Sequence, residues 1–454
     1  MLFYPVQNLS YLLGVSVYAE EGFPVIGNEK KSPMEFTKCF ELWIVSLPFR
    51  YNKKMVNVKS FSALYYRDFR LFWFGQLISL SGTWMQSVAQ GWLVYSLTKS
   101  PFYLGLVAAA GSLPILLFTL IGGIAADRFR KRNLLLMTQA LSIIPALLLG
   151  ILTDIHLIAV WQVVLLAAFL GTVNAFDIPT RQSFLVELVG KTNIMNAIAL
   201  NSAAFHGARM IGPVIAGITI ASIGLPACFY LNAFSFIAVI IALSKMKIKG
   251  DVRDSSKGFI RDFVEGIQFI KSKPEIYRTM ILIAVFSLIG MPFITFLPVF
   301  AVEVLRAGPT GFGFLVGATG GGALTAALFL AFRGDVEKKN RFMSLSALCF
   351  SFSLFAFSIS KIFYLSIAAL IFVGLGLVSF FATANSFIQL SVPDNLRGRA
   401  MSVYAFVFLG TAPIGNSLMG ILADSVGTTN TVSISAAICI IASALSFFKY
   451  LKNI

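Results

Sequence analysis

The residues in this chain that could do chemistry are charges set inside, or hard against, long apolar text. Residues 122–133 read GGIAADRFRKRN, with one acid, Asp127, followed by four bases, Arg128, Arg130, Lys131 and Arg132. Apolar runs flank this loop on both sides. A short loop this basic between two spans marks the cytoplasmic side of a membrane. Arg209 stands deep in a later apolar run. An arginine at the centre of a span costs about 2.5–3.5 kcal/mol on insertion scales and normally faces a cavity or a partner. Ser202, Phe205, His206 and Arg209 lie at i, i+3, i+4 and i+7, on one helical face. Two readings stay open. One is a polar cavity wall that binds an anionic or carboxylate-bearing substrate. The other is a structural arginine bonded to helix carbonyls or to Asn174 and Asn201. His206 is either a proton carrier, since an unperturbed histidine titrates near neutral pH, or a hydrogen-bonded packing residue. Trp84, Gln86 and Gln90 on the first run, with Asn201, Phe293, Phe381 and Asn385, add an apolar pocket wall with few polar anchors. A bulky amphipathic substrate needs such a wall. With 44 Phe in the chain, each one taken singly carries little weight.

Catalytic constellations are missing. Cys39, Cys228, Cys349 and Cys439 are scattered, with no metal-ligand or redox spacing, and there are only 2 His. Gly190-Lys191-Thr192 resembles the end of a phosphate loop, but Leu185 stands where its first glycine belongs. The reading is therefore no enzyme, no cofactor and no metal. Nor does an acid stand at the middle of the first, fourth, seventh or tenth span.

The elements that must position these residues are membrane helices. The chain has 454 residues, is 57% hydrophobic and 12% charged, against about 25% charged in soluble domains. Mean hydropathy is +0.82. Net charge is +16, but its placement argues for topology and against nucleic acid. Of the 36 Lys and Arg, only Lys99, Arg306 and Lys361 fall in outer loops and Arg209 within a span; the others lie in the N-terminal segment or in inner loops and the tail. Twelve apolar runs are expected to be spans, at about 71–97, 102–126, 134–152, 157–176, 196–222, 225–243, 279–305, 311–332, 342–358, 363–390, 400–423 and 431–448, since about 20 residues cross a bilayer. Between the sixth and seventh, Phe259, Phe263, Ile267 and Ile270 recur at helical spacing, which predicts an amphipathic helix on the inner membrane surface. Residues 1–54 mix charges without a span, and the text changes at Met55, which reads as a natural start after an extension. The expected units are residues 55–249 and 278–454, each a six-helix bundle, joined by a linker at 250–277.

The two halves echo each other. Ile178-Pro179-Thr180-Arg181 precedes the fifth span, and Val392-Pro393-Asp394 with Arg397-Gly398-Arg399 precedes the eleventh; Gly212-Pro213 is matched by Ala412-Pro413. The order Gly123, Asp127, Arg128, Lys131, Arg132 resembles the signature loop between helices 2 and 3 of the major facilitator superfamily, with Arg130 where a second glycine is common. Gly212-Pro213-Val214-Ile215-Ala216-Gly217, with Ala208 one turn earlier, resembles the superfamily's antiporter motif, Ala216 replacing a glycine. The loop pieces are similar to the drug- and siderophore-exporter branch that includes enterobactin and macrolide exporters. The resemblance implies an all-α membrane protein of twelve helices in two pseudo-symmetric six-helix bundles. It implies a monomer in the cell membrane with both termini cytoplasmic, exporting small amphipathic molecules by alternating access and proton antiport. An importer, a lipid flippase or a membrane-embedded protein that does not transport are the alternatives. It further implies a cytoplasmic gate in which Asp127 meets the start of helix 11 at Arg397, Gly398 and Arg399, with Arg128 paired to Asp177. The stripe Ala204, Ala208, Gly212, Ala216 is expected to face Gly313, Gly317 and Gly321 of helix 8 across the interface between halves, since small residues every four let backbones approach.

Overall fold

The computed structural model describes residues 58–248, 259–333, 336 and 338–451. The expected extension over 1–54 and the start at Met55 lie outside these residues. A short 3-10 segment, Val58–Tyr65, leads into twelve long helices. Those of the first half are α1 Arg67–Thr98, α2 Pro101–Arg128, α3 Lys131–Asp154, α4 Val160–Gly190, α5 Asn193–Ser222 and α6 Leu225–Ser244. Those of the second are α7 Pro274–Val304, α8 Gly308–Arg333, α9 Lys339–Ile359, α10 Phe363–Ser391, α11 Leu396–Val426 and α12 Thr428–Phe447. Eleven of them are long and apolar enough to cross a membrane. The remaining one, α1, has 32 residues but carries Gln76, Ser79 and Gln86, which it buries inside its own half.

One helix boundary differs from expectation by several turns. The fourth span does not end near residue 176: α4 runs on through Ile178-Pro179-Thr180-Arg181 to Gly190. Pro179 is tolerated inside it. The helix continues because the charges in that stretch are satisfied in place. Asp177, 2% exposed, accepts from Arg181 one turn on and from Thr138 Oγ1 and Gln139 Nε2 of α3, both at 2.8 Å. Arg181 also donates to Gln76 of α1. Buried charges persist where they are paired and hydrogen-bonded, so a charged stretch that reads as loop is helix. Gly190, at φ 68°, makes the turn into α5 in a conformation that favours glycine.

The seventh helix is irregular. Phe286–Gly290 and Phe300–Val304 are π turns, and Met291–Phe296 is 3-10. Pro292 and Pro298 each remove a backbone donor there. The linker helix, Phe259–Ser272, forms as the spacing predicts. Its apolar face is covered by protein, however. Ile270 is buried, Phe263 packs edge-on against Phe406 of α11 at 5.4 Å, and Glu265 pairs with Arg399.

Candidate functional site

The halves meet along two seams of small residues, α5 with α8 and α2 with α11. On the first, a Cβ at Gly313 would stand 2.4 Å from Pro213 O and 3.0 Å from Gly217 Cα. A Cβ at Gly317 would stand 2.9 Å from Met210 O, and one at Gly320 only 2.5 Å from Arg209 O. On the second, a Cβ at Gly105 would stand 2.4 Å from Asn416 O and 2.9 Å from Gly420 Cα. This corrects the expected pairing in one respect. The face of α5 that meets α8 is Arg209, Met210, Pro213 and Gly217. Gly212 points the other way, its Cβ direction meeting Ser81 O at 2.7 Å and Trp84 Cβ at 2.9 Å. Ala204, Ala208 and Ala216 are buried. A helix turns 100° per residue, so the stripe through Gly212 and the stripe through Pro213 lie on neighbouring faces. The sequence offers both, and only packing chooses.

These seams run from one end of the molecule to its middle. At the end holding Thr98 and Asp424, hydroxyls of the first half bond carboxylates of the second. Tyr95 Oη donates to Glu303, and Ser100 Oγ donates to Asp424 Oδ1 at 2.8 Å. Trp92 stacks on Phe312 at 6.1 Å. At the opposite end, where the basic loops lie, five charged groups have a partner in their own half. Lys131 Nζ meets Glu187 Oε1 at 2.7 Å. Arg132 caps α6 through Leu243 O at 2.7 Å and Ser244 O at 2.8 Å. Asp68 accepts from the backbone N–H groups of Lys247 and Ile248, each at 3.0 Å. Arg397 Nε donates to Gln389 O at 3.0 Å. Asp127 and Arg128 have no hydrogen bond or ion pair among the described residues. The expected Arg128–Asp177 pair is replaced by Arg181–Asp177, which is preformed by i, i+4 spacing on one helix. Gly123 and Gly398 have open space at their Cβ positions; the close approach falls to Gly122, whose Cβ would stand 2.1 Å from Ala175 O of α4.

At the inner limit of the α5–α8 seam sit four residues of the expected pocket wall. The Arg209 guanidinium lies over the Trp84 ring, 5.4 Å from its centre. Phe205 meets Trp84 edge-on at 5.8 Å, and His206 meets Phe205 edge-on at 5.4 Å. Arg209 bonds neither Asn174 nor Asn201 and has no acceptor among the described residues. His206 Nδ1 is buried without a partner.

The other expected wall residues lie elsewhere. Gln86 Oε1 accepts from Asn232 Nδ2 of α6 at 2.7 Å, inside the first half. Phe293 packs against Phe350 at 6.2 Å, and Phe381 against Phe408 at 4.7 Å, both in the second half's core. Asn385 is buried and accepts from Gln389 Nε2 at 2.7 Å. Asn201 is buried and Gln90 half-buried. The sequence reading missed Arg181 as a second arginine inside a helix. The i, i+4 spacing of Asp177 and Arg181 was the signal for it.

A family model described as transmembrane secretion effector matches residues 58–454. The chain is 27% identical over 379 residues to the staphyloferrin A transporter of Staphylococcus aureus, spanning 82% of this chain and 94% of that protein. It is 27% identical over 397 residues to the multidrug efflux pump Tap of Mycolicibacterium fortuitum, spanning 84% and 95%. Its fold matches the crystal structure of a POT family transporter with TM-score 0.68 at 13% identity, covering 85% of this chain and 96% of that one. The chain belongs to the transmembrane secretion effector family of major facilitator superfamily transporters.

Proposed function

We propose that this transporter exports small amphipathic molecules of the drug or siderophore type by alternating access, driven by proton antiport. The observation that carries the reading is the division of contacts. Seams and acid–hydroxyl bonds join the halves from the Glu303 end to the middle, while at the basic-loop end Lys131 pairs with Glu187 inside the first half and Arg399 of the second with Glu265 of the linker helix. In this reading the molecule rests open at the basic-loop end. The positive-inside rule puts that end, and both termini, in the cytoplasm. A cargo then enters from the cytoplasm and meets Trp84, Phe205, His206 and Arg209 where the seam begins. Residues 55–249 and 278–454 move as two bodies, the linker helix travelling with the second through Glu265–Arg399. When the cytoplasmic end closes, Asp127 comes to the positively polarised start of α11 near Arg397–Arg399. The name of a multidrug efflux pump among the relatives supports export, and that of a staphyloferrin A transporter a siderophore-type cargo; protons as the coupling ion rest on the antiporter-like motif Gly212-Pro213-Val214-Ile215-Ala216-Gly217 alone. The test is efflux of a fluorescent cationic dye from pump-deficient cells expressing the chain. Energy-dependent loss of dye that a protonophore abolishes is expected. Equal retention in expressing and control cells across a panel of dyes and chelators would remove the reading.

A further inference from the structure

We infer that Arg209, parked on Trp84, is the recognition point for a carboxylate on the cargo, so that the transporter handles anionic or zwitterionic amphipaths. The inference rests on the export reading and names its substrate class.

Arg209 is 4% exposed at the midpoint of α5, yet no carboxylate or acceptor among the described residues meets its guanidinium. The contrast is Arg181, equally sunk in its helix and given Asp177 and Gln76. A buried cation normally carries its counter-charge with it. Here the nearest compensation is the face of one indole ring, which attracts a cation but neutralises nothing. The only titratable neighbour on its face is His206, which adds no negative charge in either protonation state. From α8 the Arg209 backbone meets Gly320, which has no side chain to offer, and from α1 it meets Trp84. The missing anion must therefore come and go. The seat lies at the Gly320 contact between α5 and α8, with Phe205 and Trp84 beside it to take an aromatic or alkyl body. A planar guanidinium is suited to two-point pairing with a carboxylate.

The test uses two xanthene dyes that differ in one group: rhodamine B, with a free carboxylate, and its ethyl ester. Binding to the purified full chain in uncharged detergent is read by fluorescence anisotropy. The wild type should bind the acid at least tenfold more tightly than the ester. Arg209→Gln should lose that preference, binding acid and ester alike, and Arg209→Lys should keep part of it. Equal affinity of the wild type for both dyes, or a preference that survives in Arg209→Gln, overturns the inference. Should Arg209→Gln fail to fold, the wild-type comparison and Arg209→Lys still decide. Efflux of the ester from cells is the separate gauge of the export reading: export of the ester with no acid preference in binding refutes only the carboxylate seat.

Discussion

A side chain at Gly313 should force the halves apart, and the structure sets its size. The Cβ of Gly313→Val would stand 2.4 Å from Pro213 O, where ordinary contact begins near 3.4 Å, so α8 must retreat by about 1 Å along a dry seam. The obstructing atoms are backbone, Pro213 O and the Cα and N of Gly217, so no rotamer change relieves the clash. Overpacking of this kind costs about 1–3 kcal/mol. That cost falls only on the state in which the seam is closed, so it shifts the two-state equilibrium by about 5- to 150-fold toward opening at the Glu303 end. Gly212→Val meets equally hard atoms, Ser81 O and Trp84 Cβ, but within the first half. It should lower stability and disturb the Trp84 seat without parting the halves. Gly123→Ala, with nothing within 4 Å, should be silent. Spin labels at Thr98 and Arg306, beside the Tyr95–Glu303 bond, report the separation by pulsed electron resonance in a cysteine-free background. Gly313→Val should enrich a longer distance and slow efflux, while Gly212→Val leaves the distance distribution unchanged. Identical distributions in wild type and Gly313→Val, or a longer distance in Gly212→Val, would refute the assignment of the seam to the Pro213 face.

Further predictions follow from the charges. Asp177→Asn leaves Arg181 buried without its partner and should cost about 3–5 kcal/mol, read as a lower melting temperature; the double change Asp177→Asn/Arg181→Gln should recover part of it, and an unchanged melting temperature in the single variant would remove the pair from the account. Asp127→Asn removes no side-chain hydrogen bond or ion pair among the described residues, so it should spare binding and stability and slow turnover by weakening cytoplasmic closure; unchanged cross-linking between the basic ends of α2 and α11, together with unchanged efflux, would mean the loop is not a gate. Glu303→Gln replaces the carboxylate that accepts from Tyr95 and should lengthen the Thr98–Arg306 distance less than Gly313→Val does; no lengthening would leave the seam glycines as the whole outer closure. Impermeant thiol reagent should label Ser100→Cys and spare exposed Arg130→Cys in intact cells, and the reverse pattern would invert the topology.

Much of the fold was legible because a bilayer makes length and polarity decisive. Spans, halves and the linker helix follow from where the apolar runs stop. The sequence was least informative where charge and helix coincide. Residues 177–181 look like a loop because Asp and Arg are costly in a span, yet each supplies what the other needs, with Thr138 and Gln139 of α3 completing the set. The site divided similarly. Ser202, Phe205, His206 and Arg209 share a face by helical spacing alone, and Trp84 meets Phe205 and Arg209 of that face. Gln86, Phe293 and Phe381 were chosen by residue type, and type does not fix which way a helix turns. Gln86 turns to Asn232, and the two phenylalanines turn into the second half's core. Lys131 and Arg132 likewise brace α4 and α6 within one half, a role that the loop's position between spans does not reveal.

The most direct test of the central claim is transport direction in membrane vesicles of known sidedness. Everted vesicles, energised with protons inside, should accumulate rhodamine B ethyl ester when they carry the wild type and should lose that accumulation with Gly313→Val or a protonophore. Accumulation by right-side-out vesicles instead, sensitive to the same substitution, would make the chain an importer and contradict the account.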